Sequence, residues 1–347
     1  MQRRVTGLTV ALGLALVFVS SASMAQYNLT NLDSNQVGQA THPPDPLLVN
    51  AWGLVHGPGT PFWVSDNGSG WSTLYDGTGA KKGLQVLIPS ATGKGPGSPT
   101  GIVFNGSQDF QVQGWPAFFL FATLDGTISG WAPQSNPNAA IIAVPNSGSM
   151  PTPGTVYTGL AITSKTADNV LFAADNANNK VDMYDANFKL LGSFTDPTVA
   201  AGFAPFGIQD IGGLLFVTFA SQSGASGGYV DIFSEGGVFL RRVAQGPPLN
   251  QPWGLAAAPK NFGTLSNTLL VGNNLNKNST INAFNVLTGE FVGTVKDSSG
   301  KNVDVDQLWA IEFGGGTSAD GSKNDLYFTA GPSNNEAGLF GKITVVK

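Results

Sequence analysis

The sequence predicts an all-β fold: six four-stranded antiparallel blades around an axis, a six-bladed β-propeller whose ring is closed by the N-terminal strand. Three observations predict it. A small residue behind a bulky or hydroxylated one opens an apolar segment six times: Trp52-Gly53-Leu54, Thr100-Gly101-Ile102, Thr158-Gly159-Leu160, Phe206-Gly207-Ile208, Trp253-Gly254-Leu255 and Trp309-Ala310-Ile311. The spacing is roughly 50 residues, at or slightly above the length of a propeller blade, whereas solenoid repeats are usually shorter or helical. A matching hexamer follows each opening: 62–67 (FWVSDN), 120–125 (LFATLD), 171–176 (LFAADN), 215–220 (LFVTFA), 269–274 (LLVGNN) and 326–331 (LYFTAG). Finally, the sixth repeat runs out of chain one strand early, while a spare strand stands at the N-terminus.

Taken in order, residues 1–25 read as a secretory leader. Arg3 and Arg4 precede a twelve-residue apolar run at 8–19, and Ser23-Met24-Ala25 offers a small-residue cleavage site before Gln26. A spanning helix needs about 20 apolar residues, so the run is too short to anchor the chain. The expectation is an exported protein, periplasmic or extracellular, with one propeller domain over 26–347. The spare strand, 27–32 (YNLTNL), is expected to complete the sixth blade after a polar, Pro-rich link, which removes two open sheet edges.

Each blade then follows one grammar. After the opening and the hexamer come third strands at 72–76, 127–132, 180–185, 228–234, 280–285 and 338–344. Fourth strands lie near 84–88, 140–144, 190–194, 239–243 and 291–296. β-Branched and aromatic residues bounded by Gly, Asn and Pro carry the strand signal, and Asp76-Gly77 or Glu235-Gly236-Gly237 suit tight links. The 46 Gly and 21 Pro punctuate strands and do not mark disorder.

Composition excludes several function classes. With no Cys there are no disulfides, thiolate metal sites or cysteine nucleophiles. The net charge is −5 even with the leader's two arginines included, and only Arg241 and Arg242 lie beyond it. That balance argues against nucleic acid and anionic membranes as partners. A monomer with an unknown ligand or protein at one channel face is expected.

The candidate site residues come from the hexamer ends, which share a face with the openings of the first strands. Asp66-Asn67, Asp175-Asn176 and Asn273-Asn274 come from the first, third and fifth blades, an approximate threefold set around the channel. Their oxygens suit a hard cation such as Ca²⁺ in the central channel, while the same residues also end strands by bonding turn amides. Asn50, Ser98, Gln251 and Gln307, three places before their small residues, are candidates to line the same mouth. Were Asp66 and Asp175 to converge without a cation, one carboxyl would be pushed up by the other.

Other constellations read as structure. His42 and His56 are the only histidines, too few for a common structural zinc site, and no Gly-x-Ser-x-Gly elbow accompanies them. Residues 65–71 (SDNGSGW) approach a sialidase Asp-box turn but are one residue short, and two adjacent arginines cannot clamp a carboxylate. Trp52, Trp253, Trp309 and Phe206 share one repeat position, which favours wedging between adjacent blades over stacking on a ligand. Asp304 and Asp306 read as a solvated pair. Asn28, Asn105 and Asn278 begin glycosylation sequons.

Across 62–68 (FWVSDNG), 99–106 (PTGIVFNG), 121–131 (FATLDGTISGW), 201–213 (AGFAPFGIQDIGG), 252–259 (PWGLAAAP), 326–332 (LYFTAGP) and 338–341 (GLFG), the chain resembles an uncharacterised family of exported bacterial six-bladed propellers. Those proteins often carry a PEP-type C-terminal sorting tail and are distantly similar to NHL-repeat and lactonase-like propellers. The resemblance implies the same fold and leaves the activity open. The sorting tail is missing here, and Ala337 stands where a His often precedes the GLFG element. Two functions follow: a binding module presenting one channel face, or a divalent-cation-dependent hydrolase or lyase of the lactonase-like type, with Asp66 or Asp175 as ligand or base.

Overall fold

A computed structural model describes residues 26–145 and 154–346; the expected leader, residues 1–25, lies outside them. The described chain forms six four-stranded antiparallel sheets. From the axis outward the first blade orders Ala51–Val55, Phe62–Asp66, Trp71–Tyr75 and Lys81–Leu87, and the third Tyr157–Ile162, Leu171–Asp175, Lys180–Tyr184 and Leu190–Phe194. The sixth orders Leu308–Phe313, Leu326–Ala330, Leu339–Val345 and, last, Tyr27–Ser34. The chain is a six-bladed β-propeller closed by its N-terminal strand. That strand pairs from Tyr27 opposite Val345 to Ser34 opposite Leu339, with a bulge between Asn31 and Asp33.

The small residue of each opening has a steric cause. In all six blades the ladder between first and second strands slips across the opening, a β-bulge. There the innermost strands nearly touch. A Cβ on Gly53 would stand 2.2 Å from Thr100 O, and one on Gly207 2.1 Å from Trp253 O. Glycine lets the inner strands close to this separation.

Burial follows position in the blade. Second strands such as Phe62–Asp66, Leu171–Asp175 and Leu269–Asn273 are buried throughout, since both their faces meet neighbouring sheets. Fourth strands such as Leu190–Phe194 alternate between partly buried and exposed residues. Two details depart from the expected strands. The second blade's second strand begins one place early, at Phe119, and a short ribbon, Gln111–Val112 with Trp115–Pro116, is inserted before it. No helix among the described residues is long and apolar enough to cross a membrane.

Candidate functional site

The upper face, where the innermost strands begin, holds the residues singled out from sequence. Asn50, Gln251 and Gln307 all take left-handed backbone (φ 47°, 51° and 50°) just before their strands. Their carbonyls accept the N–H groups of Asn67, Asn274 and Gly331, closing the hexamer ends. The side chains are committed as well. Asn50 Oδ1 accepts Trp309 Nε1–H (2.9 Å) while its amide donates to Asn67 Oδ1 (3.0 Å). Gln307 Oε1 accepts the Asn335 N–H, and Gln251 Nε2 donates to Ala225 O. Asn50 and Gln307 are buried. Ser98 has a backbone role: its carbonyl accepts the Leu124 N–H.

The three polar pairs split by strand alternation. The second member of each straps its blade to the next: the amides of Asn67, Asn176 and Asn274 donate to Pro99 O (3.1 Å), Pro205 O (3.0 Å) and Leu308 O (2.9 Å). The first member turns into its own blade. Thr73 donates to Asp66 Oδ2, Val156 N–H and Asn178 Nδ2 donate to Asp175, and Asn273 bridges Asn250 N–H and Pro248 O. The set is divided among three separate blade interiors and three separate straps. Burial pushes the Asp66 carboxyl well above the usual range, with Thr73 pulling it back; the carboxyl that adds to the push is Asp45, not Asp175. No group of three His, Cys, Asp or Glu side chains among the described residues is arranged to hold a metal ion. These residues do not fit a shared Ca²⁺ in the channel.

The repeat-position aromatics also differ from expectation. Trp52 stacks on Trp309 at 3.5 Å between ring centroids, and Trp253 and Phe206 meet Trp52 edge-on at 6.3 and 6.4 Å. Trp52 and Phe206 belong to the first and fourth blades, which lie opposite one another in a ring of six. Side chains from opposite blades can meet only on the axis. The four rings therefore plug the channel near its upper end and do not wedge between adjacent blades.

Below the plug, each blade contributes one aliphatic residue from two places further along its innermost strand: Leu54, Ile102, Leu160, Ile208, Leu255 and Ile311. They surround a narrow recess of about 30 Å³ that Glu312 and Gln209 also line. The recess adjoins a funnel of about 200 Å³ at the lower face, walled by Val55, Phe104 and Ile162 and reached by His56 and Asp210. The channel is thus closed above and accessible below.

At this lower mouth a histidine lies between two carboxyls. His56 Nε2 is 3.1 Å from Phe313 O and 3.5 Å from Glu312 Oε1. Its Nδ1 is 3.2 Å from Gly57 O and 3.7 Å from Asp320 Oδ2. Both ring nitrogens face oxygen acceptors. Gly315 makes the space: a Cβ there would be 2.4 Å from Asp320 Oδ2 and 2.7 Å from His56 Cε1. Burial pushes Glu312 up to about 7, against the opposing pull of His56 and with the added push of Asp320. Asp320 is pushed up by burial too, but the Thr317 N–H and hydroxyl and the charge of His56 hold it below its usual range. Across the mouth, burial raises Asp210 against the pull of the Gly213 N–H. Sequence alone gives no reason to single out His56, because its carboxyl neighbours, Glu312 and Asp320, lie more than 250 residues away in the chain. No local spacing announces them.

The other histidine, His42, is half-buried and meets Thr78 O. Asp304 and Asp306 line a rim groove of about 520 Å³ beside the closing strand, with burial raising Asp304. Of the three sequons, Asn105 is buried and donates to Asp109 O and Ala117 O, so it is not open to a glycan.

No family model matches the chain. Two uncharacterized proteins of Acanthamoeba polyphaga mimivirus are 29% and 28% identical to it; each alignment spans 92% of this chain, and 81% and 86% of theirs. Among solved structures, a catalytically inactive variant of virginiamycin B lyase from Staphylococcus aureus with quinupristin superposes at a TM-score of 0.53, with 14% identity, covering 93% of this chain and 100% of that one. The selenomethionine form of the same lyase gives 0.50 at the same identity and coverage. At that identity the likeness is one of fold.

Proposed function

We propose that the chain is an exported ligand-binding propeller that takes the end of a small molecule into the lower mouth of its channel. The leader-like residues 1–25 support export. One observation carries the binding reading: the channel is plugged above and open below, where six aliphatic side chains and the polar groups of His56, Gln209, Asp210 and Glu312 surround a dead-ended hollow, and concave places of this kind are where small molecules bind. Filling the cavity tests it. Wild type is screened by thermal shift against short-chain alcohols, amines, carboxylates and lactones, and Leu160→Trp beside it. At least one series should stabilise wild type, since a ligand bound only by the native state raises its stability with concentration. The variant should lose that response. A panel without effect, or an equal response in both proteins, overturns the reading.

A second reading, a hydrolase or lyase of the lactonase-like type, is favoured by the approach of His56 to Glu312 at the same mouth, since such a pair suits proton transfer near neutral pH. The cation expected at Asp66 and Asp175 finds no converging ligands there. Lactones, esters and uronides assayed with Ca²⁺, Mn²⁺ and Zn²⁺ on wild type and His56→Gln separate the readings: turnover that the substitution abolishes favours the enzyme.

A further inference from the structure

We propose that Gln26 is a modification site: once the leader is cut away, its α-amine closes on its own side-chain amide and caps the chain with a pyroglutamyl lactam. This rests on the export reading above, which makes Gln26 the first residue, and goes beyond it by assigning the chemical state of the new terminus.

Three observations converge on this residue. Ser23-Met24-Ala25 offers the cut immediately before it. Its carbonyl accepts the Val346 N–H at 2.8 Å, and the next residue, Tyr27, donates its N–H to Lys296 O at 2.9 Å. The sheet thus takes hold of the chain from the Gln26 carbonyl onward, and Gln26 itself is exposed, so its amine and side chain stay free to react. Beside them lies a groove of about 420 Å³ between the closing strand and Phe291–Thr294, the fifth blade's outer strand, lined by Gln26, Tyr27, Leu265, Phe291 and Val292. Phe291 and Val292 are each 45% exposed, an apolar seat for a ring that carries no charge.

The step balances without a co-reactant. The amine nitrogen attacks Cδ, the N–Cδ bond forms and the Cδ–Nε2 bond breaks. The departing nitrogen takes the proton that the amine gives up and leaves as ammonia. A terminal amine titrates near pH 8, so part of it is unprotonated and nucleophilic at neutral pH. Proteolysis concentrates at chain ends, and the lactam removes the free amine on which an aminopeptidase acts. Trimming from residue 26 would begin to unpick the strand that closes the ring, so the modification guards the closure.

The full chain, leader included, is expressed for export in a bacterial host, taken fresh from periplasm and medium, and compared with Gln26→Ala by peptide mass spectrometry. The wild-type N-terminal peptide should begin at residue 26, weigh one ammonia less than its sequence, and resist Edman degradation until a pyroglutamyl peptidase removes the ring. The variant should begin at the same residue and sequence directly, and an aminopeptidase should shorten the variant alone. If neither chain is shortened, the protective role falls and the lactam stands. An open glutamine at residue 26, or a cut at another residue, overturns the lactam and leaves the export reading standing. Recovery only from the cytoplasm with the leader retained overturns both.

Discussion

Asp33 sits on the closing strand with 1% of its surface exposed, and its Oδ1 finds no donor. Burial pushes its carboxyl up to about 6; the Ser34 N–H opposes this, Asp45 adds to it and His42 opposes it. A folded-state pKa above the unfolded one, about 3.9, means that the native state holds more protons between about pH 4 and 6. Stability therefore falls as pH rises through that window, and Glu312, pushed to about 7, extends the fall upward. Asn in place of Asp33 cannot ionise. Urea midpoints of Asp33→Asn should depend less on pH between 4 and 6 than those of wild type; parallel curves would refute the assignment. Asn67 makes a different kind of contribution. Its amide holds Pro99 O of the next blade and its carbonyl receives Asn50, so Asn67→Ala should cost about 1–3 kcal/mol in urea denaturation, the usual penalty for stranding buried polar groups. A chelator should leave the melting temperature of wild type unchanged, because Asp66, Asp175 and Asn273 turn into three separate blades and do not converge on one point. The columns of Asp and Asn are readable as a repeat. Their direction is not, since a shift of one place along a strand turns a side chain to the opposite face.

The innermost strand is the element on which the blades depend. Its bulge and its small residue belong together: with the ladder slipped, five glycines and Ala310 sit where neighbouring strands converge. Gly207→Ala would drive a methyl group to 2.1 Å from Trp253 O, and overpacking of this kind costs about 1–3 kcal/mol or more. Gly83 lies on a fourth strand, and a methyl group placed there would meet nothing within 4 Å. Gly83→Ala should be near neutral by thermal denaturation, and an equal loss at both sites would undo the steric account. The motif is legible because it recurs six times. The lower mouth is not legible, because His56, Glu312 and Asp320 each occur once and meet only through the geometry of the closed ring. The aromatic plug lies between these cases: register identifies its four members, but sequence alone cannot tell the axis from the space between blades.

At the scale of the molecule, closure decides whether the other arrangements exist at all. The first and sixth blades both contribute to the His56 cluster and to the Trp52–Trp309 stack, so both features require the two chain ends to be brought together. The closing strand supplies that link. Besides its ladder with Leu339–Val345, Tyr27 donates its N–H to Lys296 O and its hydroxyl to Phe262 O, which ties the strand to the fifth blade as well. Pairing residue 27 with residue 345 is about as non-local as a contact can be in this chain, and such pairing carries a loop-closure cost before any return. Starting the chain at residue 35 would bare the edge of Leu339–Val345, a template for other chains. That truncation should lower the melting temperature well beyond Tyr27→Phe, which forfeits one hydrogen bond of about 1 kcal/mol. It should also elute as oligomers or aggregate on size exclusion, and its tryptophan fluorescence should shift red as the axial plug loosens. A truncated chain that stayed monomeric, with the melting temperature and emission of the parent, would show that the ring holds without its clasp.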